Sequence, residues 1–143
     1  MCPPHSAPFG VSEAPRAESG ETVLVVEDET LVKSLILDVL GDLGYRTLEA
    51  VDGPSGLGIL ETKQRIDLLV TDVGLPGLNG RQLADQARTL RPDLKVLFIT
   101  GYAEKAATAT GFLAPGMEMI TKPFAIDDLA SRIHRIIERR RQG

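Results

Sequence analysis

The sequence predicts an α/β domain wound on both sides of a five-stranded parallel sheet. Three observations carry this. Short apolar, β-branched runs recur, and they are continuous rather than alternating, as in strands buried on both faces. Stretches with helical spacing separate them, so strand and helix alternate five times. No segment repeats, and 143 residues hold one domain and one core with at most a tail.

Taken in order, residues 1–20 carry Pro3, Pro4, Pro8 and Pro15 among Ser, Ala, Glu and Gly, without periodicity. They are expected to be a disordered leader or linker, and Cys2 and His5 within them to be incidental. Thr22-Val23-Leu24-Val25-Val26 is the first strand and runs into Glu27-Asp28-Glu29. Leu31, Val32, Leu35, Ile36, Val39, Leu40 and Leu43 then form one helical stripe, with Thr30 as N-cap and Gly44 as stop. Residues 45–50 make a weaker second strand. Asp52-Gly53-Pro54-Ser55 turns into a short helix carrying Leu57 and Leu60, weakened by Gly56 and Gly58.

Residues 66–71 form the third strand, which ends at Asp72. A breaker-rich loop from Gly74 to Gly80 follows. Leu83, Ala84, Ala87 and Leu90 mark a helix that closes before Pro92. Residues 94–99 are the fourth strand, ending at Thr100-Gly101. Residues 103–113, rich in Ala and Thr, are expected to be helical. Residues 117–121 are the fifth strand, ending at Lys122-Pro123. Ile126, Leu129, Ile133, Ile136 and Ile137 form the apolar face of a last helix. Right-handed crossovers place helices on both faces. Five strands favour the flavodoxin-like order 2-1-3-4-5 over the six-stranded dinucleotide fold.

Composition excludes several function classes. Apolar residues at 43% and charged residues at 25% are ordinary for a globular protein. No apolar run approaches the ~20 residues of a membrane span, and no secretory signal pattern opens the chain. A single cysteine allows no internal disulfide, which points to the cytoplasm. A net charge of −4 argues against general nucleic-acid binding. The Arg139-Arg140-Arg141 run suits the negative end of a helix dipole.

Ligands of open parallel sheets bind beyond the carboxyl ends of the strands. Those ends carry Glu27 and Asp28, Asp72, Thr100 and Lys122, and the expected order makes their strands consecutive neighbours. Singly, each has an ordinary explanation: a helix cap for Asp28, a turn cap for Asp72, a turn residue for Thr100, a surface cation for Lys122. Together they make chemical sense. Crowded carboxylates need a cation, and an oxygen site with few protein ligands suits Mg²⁺. An ionised Asp72 is then a nucleophile able to form an aspartyl-phosphate. Lys122 and the cation supply positive charge around the phosphoryl oxygens, Thr100 a hydroxyl, and Gly101 room for the backbone to approach.

Val25-Val26-Glu27-Asp28-Glu29, Thr71-Asp72-Val73-Gly74-Leu75-Pro76-Gly77-Leu78-Asn79-Gly80, Phe98-Ile99-Thr100-Gly101-Tyr102 and Thr121-Lys122-Pro123-Phe124 resemble the receiver domains of two-component response regulators. The resemblance covers about residues 21–140. The chemotaxis receiver is itself the standard example of the 2-1-3-4-5 order, so that order belongs as much to the resemblance as to the strand count. The resemblance implies that Asp72 is the phosphoacceptor. It implies Mg²⁺ (or Mn²⁺) held by Asp28 directly, by Glu27 through water, by Asp72 and by the Gly74 backbone carbonyl. Thr100 becomes the switch hydroxyl and Lys122 the phosphate-binding lysine, followed by a cis bond to Pro123. The second half is similar to receivers attached to hybrid sensor histidine kinases, and such receivers also occur alone.

The family often has an aromatic residue three positions before the lysine, and here Met119 stands there. Either Met119 repacks in its place or switching differs. Tyr102 is a candidate cover for the site, or else an amphipathic ring on its rim. Gly74 has no side chain to hold a hydrolytic water, so slow self-dephosphorylation is expected. The expected donor is a histidine kinase or histidine phosphotransfer protein. With no effector domain following residue 143 here, the expected output is a protein contact or onward phosphotransfer from a monomer or weak dimer, without direct DNA binding. The alternative is a Mg²⁺ phosphohydrolase working through an aspartyl-phosphate. Such enzymes need a second acid/base aspartate just after the nucleophile, where this chain has Val73 and Gly74. A flavin or nucleotide binder is disfavoured because the loop after the first strand is acidic rather than glycine-rich. His134 on the last helix is read as a surface or partly buried residue.

Overall fold

β1 (Thr22–Val26), β2 (Arg46–Ala50), β3 (Leu68–Asp72), β4 (Lys95–Thr100) and β5 (Met117–Thr121) pair in parallel in the order β2-β1-β3-β4-β5. The structure is a computed structural model that describes residues 21–75, 77–101 and 116–142. Among these residues four helices cover the sheet: α1 (Thr30–Asp42), α2 (Gly53–Leu60), α3 (Gly80–Leu90) and α4 (Ile126–Gln142). None is long and apolar enough to cross a membrane. The expected order and strand count are those observed. The helix expected over 103–113 lies outside the described residues.

Side chains alternate across each strand, so β1 sends Val23 and Val25 to one face and Leu24 and Val26 to the other. Each set enters a core. On the first face Val23, Val25, Val70 and Ile99 meet Ile36 and Leu40 of α1 and Leu129, Ile133 and Ile136 of α4. On the second, Leu24, Val26, Leu69 and Phe98 meet Leu60 of α2 and Leu83, Ala84 and Ala87 of α3. Burial on both faces is what makes the apolar runs of β1, β3 and β4 continuous.

The helices deviate from expectation in detail. The apolar stripe of α1 is narrower than its sequence implies: Ile36, Val39 and Leu40 are buried, but Leu31 is 85% and Leu35 41% exposed. Leu31 stands in the first turn, at the end where the chain leaves the sheet edge. Leu90, at the far end of α3, is likewise 46% exposed. The N-cap of α1 is Glu29 rather than Thr30, and no side chain caps it. Its C-terminus behaves as expected. Gly44 takes φ +92°, its N–H bonds to the Gly41 carbonyl and the Tyr45 N–H to that of Leu40, a Schellman closure.

α3 is placed by a capping box. Asn79 accepts from the Gln82 N–H at 2.9 Å, and the Gln82 side chain accepts from the Asn79 N–H at 3.0 Å. The next residue, Gly80, packs so closely on the end of β3 that a Cβ there would lie 2.3 Å from the Asp72 carbonyl oxygen. Only glycine lets α3 begin this close to the strand end. At the opposite edge of the sheet Asp67, just before β3, is 2% exposed. It accepts from the Thr22 N–H at 2.8 Å and pairs with Arg65 at 2.9 Å.

Candidate functional site

β1 and β3 are adjacent, with Val26 opposite Thr71. The residues that follow, Glu27 and Asp72, therefore emerge side by side at the C-terminal edge. β4 ends beside β3 in Thr100, and β5 pairs Thr121 with Thr100, which delivers Lys122 to the same edge. The cis Lys122–Pro123 bond directly follows. Glu27 is fully buried, Asp72 5% exposed and Thr100 fully buried.

Three carboxylates meet there: Glu27, Glu29 and Asp72 each offer an oxygen, all within 4.8 Å of one another. The Lys122 ammonium sits against all three, 2.6 Å from Glu29 Oε1, 3.4 Å from Asp72 Oδ2 and 3.6 Å from Glu27 Oε1. The Gly74 N–H donates to Asp72 Oδ1 at 3.0 Å, and the Glu29 N–H to Glu27 Oε2 at 3.0 Å. Two buried oxygens, Glu27 Oε1 and Thr100 Oγ1, have no hydrogen-bond partner among the described residues. Buried polar atoms are normally satisfied, so both point to something that binds here.

The electrostatics agree. Burial pushes the Glu27 carboxyl up to about 7, helped by the Asp72 charge and opposed by the Glu29 N–H and by Lys122. Burial alone lowers the Lys122 ammonium. The hydrogen bond it donates to Glu29 and the charges of Asp72, Glu27 and Glu29 outweigh this, so Lys122 stays firmly protonated. A site of hard oxygen donors, over-supplied with negative charge and with one buried oxygen unsatisfied, fits a small divalent cation.

Of the residues singled out in the sequence, Glu27, Asp72, Thr100 and Lys122 share this edge, and Gly74 contacts it through its amide. Gly101, half-buried, directly follows β4. Met119 lies on β5 opposite Phe98, partly buried, and its carbonyl accepts from Arg132 at 2.9 Å. Tyr102 lies outside the described residues. His134 is partly exposed, 4.0 Å from Glu138.

Asp28 differs from expectation. It is exposed and is not one of the three converging carboxylates, whereas Glu29, which the sequence reading passed over, is. The backbone stays extended at Glu29, with φ −82° and ψ 112°. β1 ends at Val26 and the chain bends at Asp28, so strand alternation does not carry through; the Glu29 N–H folds back onto Glu27 Oε2, a local turn that the sequence pattern did not reveal.

Comparison with known proteins agrees with this arrangement. The response regulator receiver domain family matches residues 23–134. The response regulator receiver protein CpdR of Brucella abortus is 30% identical over 115 residues, 80% of this chain and 95% of CpdR. The sensor kinase CckA of the same organism is 32% identical over 130 residues, 90% of this chain but 14% of CckA. A crystal structure of a response regulator receiver domain protein from Clostridium thermocellum superposes with a TM-score of 0.74 at 28% identity, covering 85% of this chain and 98% of that one. The strand order, the charged edge and these relatives lead to one conclusion: this chain belongs to the response regulator receiver domain family and serves as a phosphorelay receiver in signal transduction.

Proposed function

We propose that Asp72 is the residue that accepts the phosphoryl group. The observation that carries this is the buried Asp72 carboxylate beside Glu27, with Lys122 3.4 Å away and the Thr100 hydroxyl without a partner among the described residues. Receivers take their phosphoryl group from histidine kinases or histidine phosphotransfer proteins, and such a phosphohistidine is the proposed donor here. An Asp72 oxygen attacks phosphorus, the donor's P–N bond breaks as the P–O bond forms, and the electron pair leaves on the imidazole nitrogen. Lys122 turns its ammonium to the equatorial oxygens, Thr100 donates its hydroxyl to one of them, and Gly101 leaves room for the backbone to close in.

Glu27, Asp72 and the Gly74 carbonyl are the proposed holders of Mg²⁺, or of Mn²⁺, with Asp28 available from the exposed side. When bound, the ion neutralises charge developing on the phosphoryl oxygens. The chemistry ends on the protein itself, so the chain is proposed as a switch rather than an enzyme acting on other molecules. The unit responsible is taken as residues 21–140, in the cytoplasm, as a monomer or weak dimer. Movement of Thr100 toward the phosphoryl group and repacking of Met119 would bias the β4–β5 surface toward a downstream protein, a population shift set by phosphate.

Incubation with acetyl phosphate and Mg²⁺, followed by intact-mass measurement, tests the assignment. Wild type gains one phosphoryl group and Asp72→Ala gains none. Labelling retained in Asp72→Ala rejects it.

A further inference from the structure

Lys122 makes its shortest contact with the most exposed member of the acidic group. Glu29 Oε1 lies 2.6 Å from the ammonium, against 3.4 Å for Asp72 and 3.6 Å for Glu27, and the Glu29 side chain is 59% exposed while that of Glu27 is fully buried. This contact joins residues 93 positions apart and spans from the β1 end to the β5 end. Glu29 is also tied to the site through its backbone, because its N–H donates to Glu27 Oε2. Its carboxylate is thus registered to the floor of the site while reaching out to its mouth.

We propose that Glu29 is a positioning residue for Lys122: it holds the ammonium outward in the unphosphorylated protein and competes for it with the phosphoryl oxygens. The inference rests on the assignment of Asp72 as acceptor. A phosphoryl group on Asp72 sets its oxygens beyond the carboxylate, and the ammonium must release or swing away from Glu29 to meet them. The Glu29–Lys122 pair is then a counterweight. It keeps Lys122 from sealing the space between Glu27 and Asp72, and the phosphorylated state forms against it. A pair this exposed shifts an equilibrium by about two- to fivefold.

Beryllium trifluoride, a non-covalent phosphoryl analogue, tests this at saturating Mg²⁺, with affinity measured by calorimetry. Wild type, Glu29→Gln, Lys122→Met, the double variant and Asp72→Asn are compared. Glu29→Gln alters a solvent-facing group and leaves the fold intact. It should bind the analogue about two- to fivefold more tightly, and the gain should vanish in the Lys122→Met background. The ¹⁵Nζ resonance of Lys122 should differ between wild type and Glu29→Gln without the analogue and converge when it is bound. Unchanged or weaker binding by Glu29→Gln overturns the inference. So does a gain that persists without Lys122, which would be a general charge effect, or a loss independent of Lys122, which would make Glu29 a cation ligand. If wild type binds no better than Asp72→Asn, the acceptor assignment falls and this inference with it. Asp72-dependent binding indifferent to Glu29 removes this inference alone.

Discussion

Glu27 shows how a single residue carries both stability and function. Its carboxyl is raised to about 7 in the folded protein from an ordinary 4.5, chiefly by burial. A raised folded value means the folded state holds the proton more tightly than the unfolded one. The resulting stabilisation is full below about pH 4.5 and is lost as pH rises through 7. Without divalent cation, wild type should therefore lose up to about 3 kcal/mol between pH 5 and pH 8 relative to Glu27→Gln. Urea denaturation at the two pH values checks this, and parallel curves for the two proteins would refute it. Gly74 is the second such residue. Its N–H is committed to Asp72, and its exposed position has no side chain to orient a water. Phosphorylated Gly74→Asn should lose its phosphoryl group several-fold faster than wild type, on the order of 1 kcal/mol in the barrier. Loss of label over time measures it, and a slower variant contradicts it. Most of these site residues were legible in the sequence because each stands at a strand end. Glu29 was not, since residue type alone does not tell which of three consecutive acids points inward.

Among the elements, α1 separates apolar character from burial. Leu31 and Ile36 both belong to the stripe read from the sequence, yet one is 85% exposed and the other fully buried. Periodicity finds the centre of a buried face but not its width, which depends on where the helix leaves the sheet. Leu31→Gln should change stability by no more than about 0.5 kcal/mol. Ile36→Ala should cost about 2–5 kcal/mol through lost burial and a cavity beneath the helix. Chemical denaturation of the two variants distinguishes them, and comparable losses would mean that Leu31 is packed. The strands were easier to read than the helices, because burial on both faces of β1, β3 and β4 leaves an unbroken apolar signature. β2 and β5, the sheet's outer strands, are less buried and gave weaker signals.

For the molecule as a whole, parallel pairing gathers Glu27, Asp72, Thr100 and Lys122 from positions up to 95 residues apart. A cation binding there binds only the folded chain and so stabilises all of it. At a hundred times its dissociation constant, Mg²⁺ should add about 2.7 kcal/mol. The gain should disappear with chelator and be strongly reduced in Asp72→Asn, as read from thermal melts; equal gains in both proteins would show that the ion binds elsewhere. Asp67 offers the control that the fold itself provides. It flanks β3 at the edge opposite Asp72 and is equally hidden from water, yet its charge is answered by the Thr22 amide and Arg65. The direction of the strands explains the contrast. One rim of a parallel sheet ends in amide hydrogens, which quieten an acid placed there. The other ends in carbonyl oxygens, so the acids there take their N–H bonds from the loops beyond the strands, at Gly74 and Glu29, and three of them share the one ammonium of Lys122. The same amino acid at the two ends of one strand is mortar at the first rim and the proposed reagent at the second, and the polarity of the chain sets them apart.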